Sequence, residues 1–334
     1  MHQRFKIVIS LIFLLAILFI SLLLGRYQIG AIDVLKVMLS PIFPKLVVEI
    51  PDIARQLILK VRLPRIIGAL LIGAGFGGTG TALQAIFKNP LVDSNILGVA
   101  SGAGFGAALM LLLMGSSWQV QFSAFFFGLL AVLFAFFGSR LYKSSTLLIL
   151  TLMGILVGSL FNSLTSLMKY VADPLDTLPA ITFWLLGSLT GITWQNLISL
   201  AIIMILGILF LWLIRWRLNI LSLDEEEAKT LGSDPMKLKL IIIIITTLMT
   251  AAAVSICGVI GWVGLVIPHA GRLIVGSDHK YLLPISLILG GAFLLTIDDV
   301  ARTLLPGEIP LGVLTGLIGV PILIVLMRRS KTGW

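Results

Sequence analysis

Apolar residues run along this chain in long blocks separated by short polar breaks, and the blocks have the length of membrane spans rather than of core helices. Ten are read from the pattern, at 7–24, 66–86, 93–114, 119–139, 146–169, 195–214, 239–257, 260–274, 282–301 and 309–327. The eighth is interrupted by Gly258, Gly261, Gly264 and Pro268 and holds little continuous hydrophobic helix. Between the fifth and sixth, Asp173 to Gly191 carries Pro174, Pro179 and Trp184, which predicts a short surface helix with an aromatic at headgroup depth. The expected fold is an all-α polytopic membrane protein of ten transmembrane helices, with 1–334 as one domain.

Two polar breaks stand out. Residues 221–240 read LSLDEEEAKTLGSDPMKLKL. Such a segment cannot lie in hydrocarbon. Its helix formers run to Leu231 and stop at Gly-Ser-Asp-Pro, so 221–238 is expected to form a compact helical platform on one membrane face. The other break, 26–64, is the first external loop if the N-terminus is cytoplasmic. In that orientation fifteen of the 24 Lys and Arg fall inside, and one external loop, 26–65, holds seven of the nine exceptions. That loop is anomalously basic.

Composition agrees. The chain is 58% hydrophobic and only 12% charged, with a mean hydropathy of +1.11; soluble domains carry about 25% charged residues. The net charge of +9 therefore marks cytoplasmic loops and not nucleic-acid binding. No Ala-x-Ala site follows the first apolar run, which reads as a retained span. A single cysteine, Cys257, excludes an intramolecular disulfide and a cysteine metal cage.

Glycine is spaced for close helix contact: Gly98, Gly102 and Gly106 form GxxxGxxxG, and Gly312 and Gly316 repeat the spacing. Leu97–Gly102 also echoes Leu311–Gly316, on helices expected to run in opposite directions, as in an inverted-repeat transporter. Gly73, Gly75 and Gly78 match GxGxxG, but inside an apolar span and not after a strand, so no dinucleotide site is expected. There is no GxxxxGK[ST], so ATP is not held by a P-loop of this chain. Arg62-Leu63-Pro64-Arg65 admits two readings: cations anchored at the interface, or a docking patch for carboxylates of an external protein. Arg302 could join that patch or be neutralised by Asp298 or Asp299 one turn earlier. Scattered histidines give no metal site and no catalytic cluster. The spanning acids Asp298 and Asp299 sit near a helix end, which argues against an ion-coupled secondary transporter.

The stretch RLPRIIGALLIGAGFGGTGTALQAIFKNPLVDSNILGVASGAGFG, with WLLGSLTGITW, LDEEEAKTLG, GVIGWVGLVIPHAGRLIVGSDHKYLLP and DDVARTLLPGEIPLGVLTGLIGVPILI following in order, resembles the FecCD-type permeases of iron–siderophore, haem and cobalamin importers. The resemblance implies the type II ABC importer permease fold in a multi-pass protein of the bacterial cytoplasmic membrane, with both termini in the cytoplasm. It implies a second permease subunit, identical or homologous, two ATPase subunits beneath that hold ATP and Mg, and an extracytoplasmic substrate-binding protein. This chain would bind no cofactor and would not itself be an enzyme. Arg62, Arg65 and Arg302 match the family's docking arginines. Leu223, Glu225, Glu226, Ala228, Leu231 and Gly232 match its ATPase-coupling platform, and Gly98, Gly102, Gly106, Gly312 and Gly316 are expected to serve helix packing and gating. A ferric siderophore is the expected cargo, with haem and cobalamin as alternatives.

Overall fold

The computed structural model describes residues 2–40, 43, 50–141, 147–222 and 235–329, and among these residues the secondary structure is entirely helical. Helices α1 (His2–Leu23), α2 (Ala31–Leu39) and α3 (Asp52–Gln56) lead through a π-helical turn, Leu57–Arg62, into α4 (Leu63–Phe87). There follow α5 (Val99–Leu112), α6 (Ser117–Arg140), α7 (Leu147–Val171), the short α8 (Thr177–Leu186), α9 (Trp194–Ile214) and α10 (Arg217–Leu221). The chain closes with α11 (Pro235–Cys257), α12 (Val263–Val275), α13 (His279–Thr303) and α14 (Leu311–Arg329).

Each apolar block is met by one of these helices. Seven of the described helices are long and apolar enough to cross a membrane by length and composition. The third and eighth blocks come out shorter than expected, as α5 with 14 residues and α12 with 13. Their lost turns have local causes. Before α5, Lys88 takes a left-handed conformation, Pro90 follows, and the Asp93 carboxylate accepts the Asn95 N–H at 3.0 Å, so the chain turns until Gly98 caps the helix. Before α12, residues 258–262 leave the helix and Trp262 itself is left-handed at φ 71°. The expected surface helix between blocks five and six is α8. The basic loop 26–64 is not featureless: it holds α2, α3 and the π-helical turn.

Helix α4 is the centre of the bundle. From Pro64 to Ile86 nearly every residue is buried, and α4 packs on α13, α12, α9 and α11. Small residues make this possible. A Cβ at Gly73 would collide with the Gly290 carbonyl of α13, and one at Gly80 with the Gly264 carbonyl of α12. The backbones therefore touch where lipid-facing helices would keep side chains between them.

Candidate functional site

Polar chemistry in the bundle gathers at its two ends. At one end α1 finishes, α4 begins and α13 finishes. Three guanidinium groups and three carboxylates interlock there, so the cluster is neutral in sum.

Arg65, on the first turn of α4, forks two carboxylates. Its Nε and Nη2 donate to Asp298 at 2.8–3.1 Å, and its Nη1 and Nη2 donate to Glu308 at 2.9 and 2.8 Å. Paired N–H donors against paired oxygens are the geometry only arginine supplies. Asp298 has no exposed side-chain area, whereas Glu308, on the turn between α13 and α14, is 31% exposed. Arg302 lies one turn beyond Asp298. Its Nη2 donates to Asp299, and also to the Ser21 carbonyl at 2.6 Å and the Ser21 hydroxyl at 2.8 Å. Ser21 in turn donates to Asp299 at 2.7 Å.

Arg62 has a different role. Its Nη1 donates to the Leu22 carbonyl at 2.6 Å and more distantly to that of Leu23, and its Nη2 donates to the Tyr27 carbonyl at 2.5 Å. Arg302 adds Leu24 at 3.0 Å. The last carbonyls of α1 have no partner within that helix, so the two arginines cap it, with their charge placed at the negative end of its dipole. Gly25 leaves room for the cap: a Cβ there would meet the Arg62 guanidinium, which would have to shift. Burial, with the neighbouring Arg302 charge second, pushes Arg62 below its ordinary pKa. The sequence suggested a cationic surface patch; the structure buries Arg62, Arg65 and Arg302 to 5–8% exposure and engages each within the chain. Arg302 does find both acids anticipated for it, Asp299 in direct contact and Asp298 at 3.9 Å.

At the opposite end a second set of bonds ties the bundle. Gln84 accepts from Arg272 at 2.6 Å and donates to the Val92 and Gly264 carbonyls. Lys6 donates to the Ile274 carbonyl at 2.5 Å, a cation on the C-terminal turn of α12. Helix α1 is therefore held at both ends. Asn219 of α10 accepts the N–H and the Nδ1 of His279 at 2.9 and 2.8 Å and donates to Asp278 at 2.8 Å. Asp278 also caps α13 by accepting the Lys280 N–H. Desolvation pushes this carboxyl up, but the Asn219 amide, the Lys280 N–H and the charges of Lys280 and His279 outweigh it and leave the pKa below its ordinary value.

The expected glycines divide. Gly102 and Gly106 abut the backbone of α6 at Phe127 and Ser123, and the Ser123 hydroxyl donates to the Gly106 carbonyl at 2.8 Å. Gly98, left-handed at φ 84°, lies against Gly154 and Gly158 of α7. Gly312 meets the backbone of Leu186 and Val259, while Gly316 makes only ordinary contact with the Trp262 ring. The expected platform residues Leu223, Glu225, Glu226, Ala228, Leu231 and Gly232 lie outside the described residues. Glu308, Ser21 and Asn219 were not singled out from the sequence. Ser21 and Glu308 lie at the rims of apolar blocks and Asn219 in the polar break after the sixth, and those positions are the only signal they give. Among the described residues no three His, Cys, Asp or Glu side chains come together to hold a metal ion.

Comparison with known proteins covers nearly the whole chain. The family model described as the FecCD transport family matches residues 13–329. The molybdate import system permease protein MolB of Haemophilus influenzae is 40% identical over 98% of this chain and 97% of its own length. A Helicobacter pylori permease protein named for an iron chelatin transport system is 38% identical over 82% of this chain and 83% of its own. A solved ABC transporter, described as metal-chelate type and inward-facing, superposes with a TM-score of 0.86 at 38% identity, covering 97% of this chain and 98% of that one.

Proposed function

The chain belongs to the FecCD transport family and is an ABC importer permease, and from that premise we propose that it passes a ferric siderophore across the bacterial cytoplasmic membrane. The observation that carries the reading is the full-length likeness to a metal-chelate type transporter. The identity to the iron chelatin permease supports the cargo. A specific observation favours a second cargo, molybdate: the relative named for it is 40% identical and aligns over almost the whole of both chains.

In this reading the end bearing Arg62, Arg65 and Arg302 faces the exterior and both termini face the cytoplasm, in line with the distribution of Lys and Arg. A substrate-binding protein delivers the cargo to that outer end. Its carboxylates reach Arg65 and Arg302 only in competition with Asp298, Asp299 and Glu308, and Arg62 only in competition with the carbonyls at the end of α1. A second permease subunit completes the pathway. Two ATPase subunits hold ATP and Mg and act on residues 223–232 between α10 and α11. The chain itself moves and does not catalyse: its glycine contacts let backbones shift past one another without side chains to unlock.

The test is transport by the reconstituted complex in proteoliposomes, with the cognate binding protein loaded with radiolabelled ferric siderophore or with molybdate. ATP-dependent uptake of the ferric chelate supports the first cargo, and uptake of molybdate alone replaces it with the second. Uptake that persists without ATP while an ion gradient is maintained would remove the ABC mechanism altogether.

A further inference from the structure

Helix α9 carries two stripes of opposite fate. Leu197, Leu200, Met204, Gly207, Leu211 and Ile214 are buried against the bundle. Ile198, Ile202, Ile205, Leu209, Trp212 and Trp216 recur at the same three- and four-residue spacing and are 43–60% exposed. The part of this stripe on α9, Ile198 to Trp212, runs about 21 Å at 1.5 Å per residue, more than the half-thickness of a bilayer's hydrocarbon, about 15 Å, and Trp216 lies just beyond it in the turn to α10. A shallow, wholly apolar groove lined by Ile198, Ala201, Ile202, Ile205 and Leu206 occupies one half of it.

The other half ends in charge. The Arg215 guanidinium lies over the Trp212 ring at 4.2 Å from its centre and Arg217 over Trp216 at 5.2 Å. Arg215 is further fixed by donating Nη1 to the Trp212 carbonyl at 2.5 Å. Neither arginine forms an ion pair with a carboxylate among the described residues. Two oriented guanidinium groups, backed by indole faces at the end of an acyl-length apolar track, present the complement of one amphiphile.

We propose that the α9–α10 elbow binds an anionic phospholipid. Arg215 and Arg217 hold the headgroup phosphate, Trp212 and Trp216 flank the glycerol region, and one acyl chain lies along Leu209, Ile205 and Ile202. The track decides for a lipid over a soluble anion, because a free phosphate has no use for the apolar stripe. It also decides against a protein partner at the arginines alone, since the track continues far into the hydrocarbon. The two arginines decide for an anionic headgroup, each basic residue near an anionic surface being worth about fivefold in affinity.

The full-length protein in nanodiscs supplies the test. Phosphatidylglycerol or phosphatidylcholine, each brominated on an acyl chain, is doped into an otherwise unlabelled bilayer, and quenching of the Trp212 and Trp216 fluorescence is isolated by difference against W212F/W216F. Preferential quenching by the phosphatidylglycerol is expected. The preference should fall at least fivefold in R215Q/R217Q, survive in R215K/R217K, and weaken with salt in the unaltered protein. Equal quenching by both lipids overturns the proposal. So does a preference unchanged in R215Q/R217Q, or crosslinking from position 205 to a second copy or another subunit in place of lipid. If R215Q/R217Q does not fold, the salt titration decides alone: a salt-independent preference overturns the headgroup assignment. Inorganic phosphate should not compete; displacement by it would make the site one for a soluble anion.

Discussion

Arg65 and Asp298 stand 233 residues apart in the chain and meet through three N–H···O contacts of 2.8–3.1 Å, with the carboxylate wholly enclosed. Removing one partner from such a pair leaves the other charge buried and uncompensated, at a cost of about 3–5 kcal/mol. Asp298→Asn should therefore lower the unfolding midpoint in detergent far more than Glu308→Gln, because Glu308 is partly solvated. Arg65→Lys should behave as a loss, since an ammonium cannot fork two carboxylates. Equal midpoints for the three variants would mean that the pair does not hold α4 to α13.

Asn219 and Asp278 offer a sharper test, because their bond can be reversed. Asn219→Asp sets two carboxylates face to face and should weaken the coupling of ATP hydrolysis to cargo release. The exchange Asn219→Asp with Asp278→Asn restores a donor opposite an acceptor, and still leaves acceptors for His279 and the Lys280 N–H. Recovery of transport in the double variant is the expected outcome, with Asn219→Asp alone impaired at unchanged expression and Asp278→Asn alone, whose amide oxygen still accepts from Asn219 and Lys280, near the parent. The sign of the pH dependence follows. A depressed carboxyl adds stability above its unfolded pKa of about 3.9, lost only as pH falls through the lower folded value. The Asp278 carboxyl should thus add no pH dependence of its own across the neutral range.

Gly73 and Gly290 share a backbone contact with no room for a methyl group. Gly73→Ala should cost about 1–3 kcal/mol through overpacking, read as a lower unfolding temperature. Gly261, with open space at its Cβ position, should accept alanine without such a drop. A Gly73→Ala protein as stable as the parent would show that α4 and α13 can separate freely.

Ser21 bridges Asp299 and Arg302 with its hydroxyl. Replacing it with valine, the apolar counterpart in shape of threonine, leaves two buried charged groups short of a hydrogen bond, at about 1–3 kcal/mol. Ser21→Thr keeps the hydroxyl and should rescue most of the loss. Hydrogen exchange at the end of α1 would report the effect locally: faster exchange at Leu22–Leu24 in the valine variant, near-parent rates in the threonine variant.

Helices were legible in the sequence because hydropathy is a local property, and every apolar block found its helix. The ends of α5 and α12 were not, because Lys88 and Trp262 adopt left-handed backbone that their side chains do not announce. The arginines could be picked out, but their partners could not. Arg65 pairs with residues 233 and 243 positions away, and Arg62 with bare carbonyls on α1. Periodicity records which face of a helix is covered and says nothing of what covers it. Arg302 was half legible, since Asp298 and Asp299 lie within one turn of the same helix. Asn219 was invisible for the opposite reason: a single amide in a polar break looks like any solvated loop residue.

The cap on α1 has a consequence for how the protein comes to be made. Helix α1, made well before α13, ends in carbonyls and a serine whose partners include Asp299 and Arg302, 278 residues or more later. Until α13 has been synthesised and inserted, the end of α1 can rely only on Arg62 and on lipid or a chaperoning insertase. A nascent chain stopped before Asp298 should therefore hold α1 loosely enough for an engineered site in residues 20–27 to be cut by protease. Completion of the chain should close that window in one step.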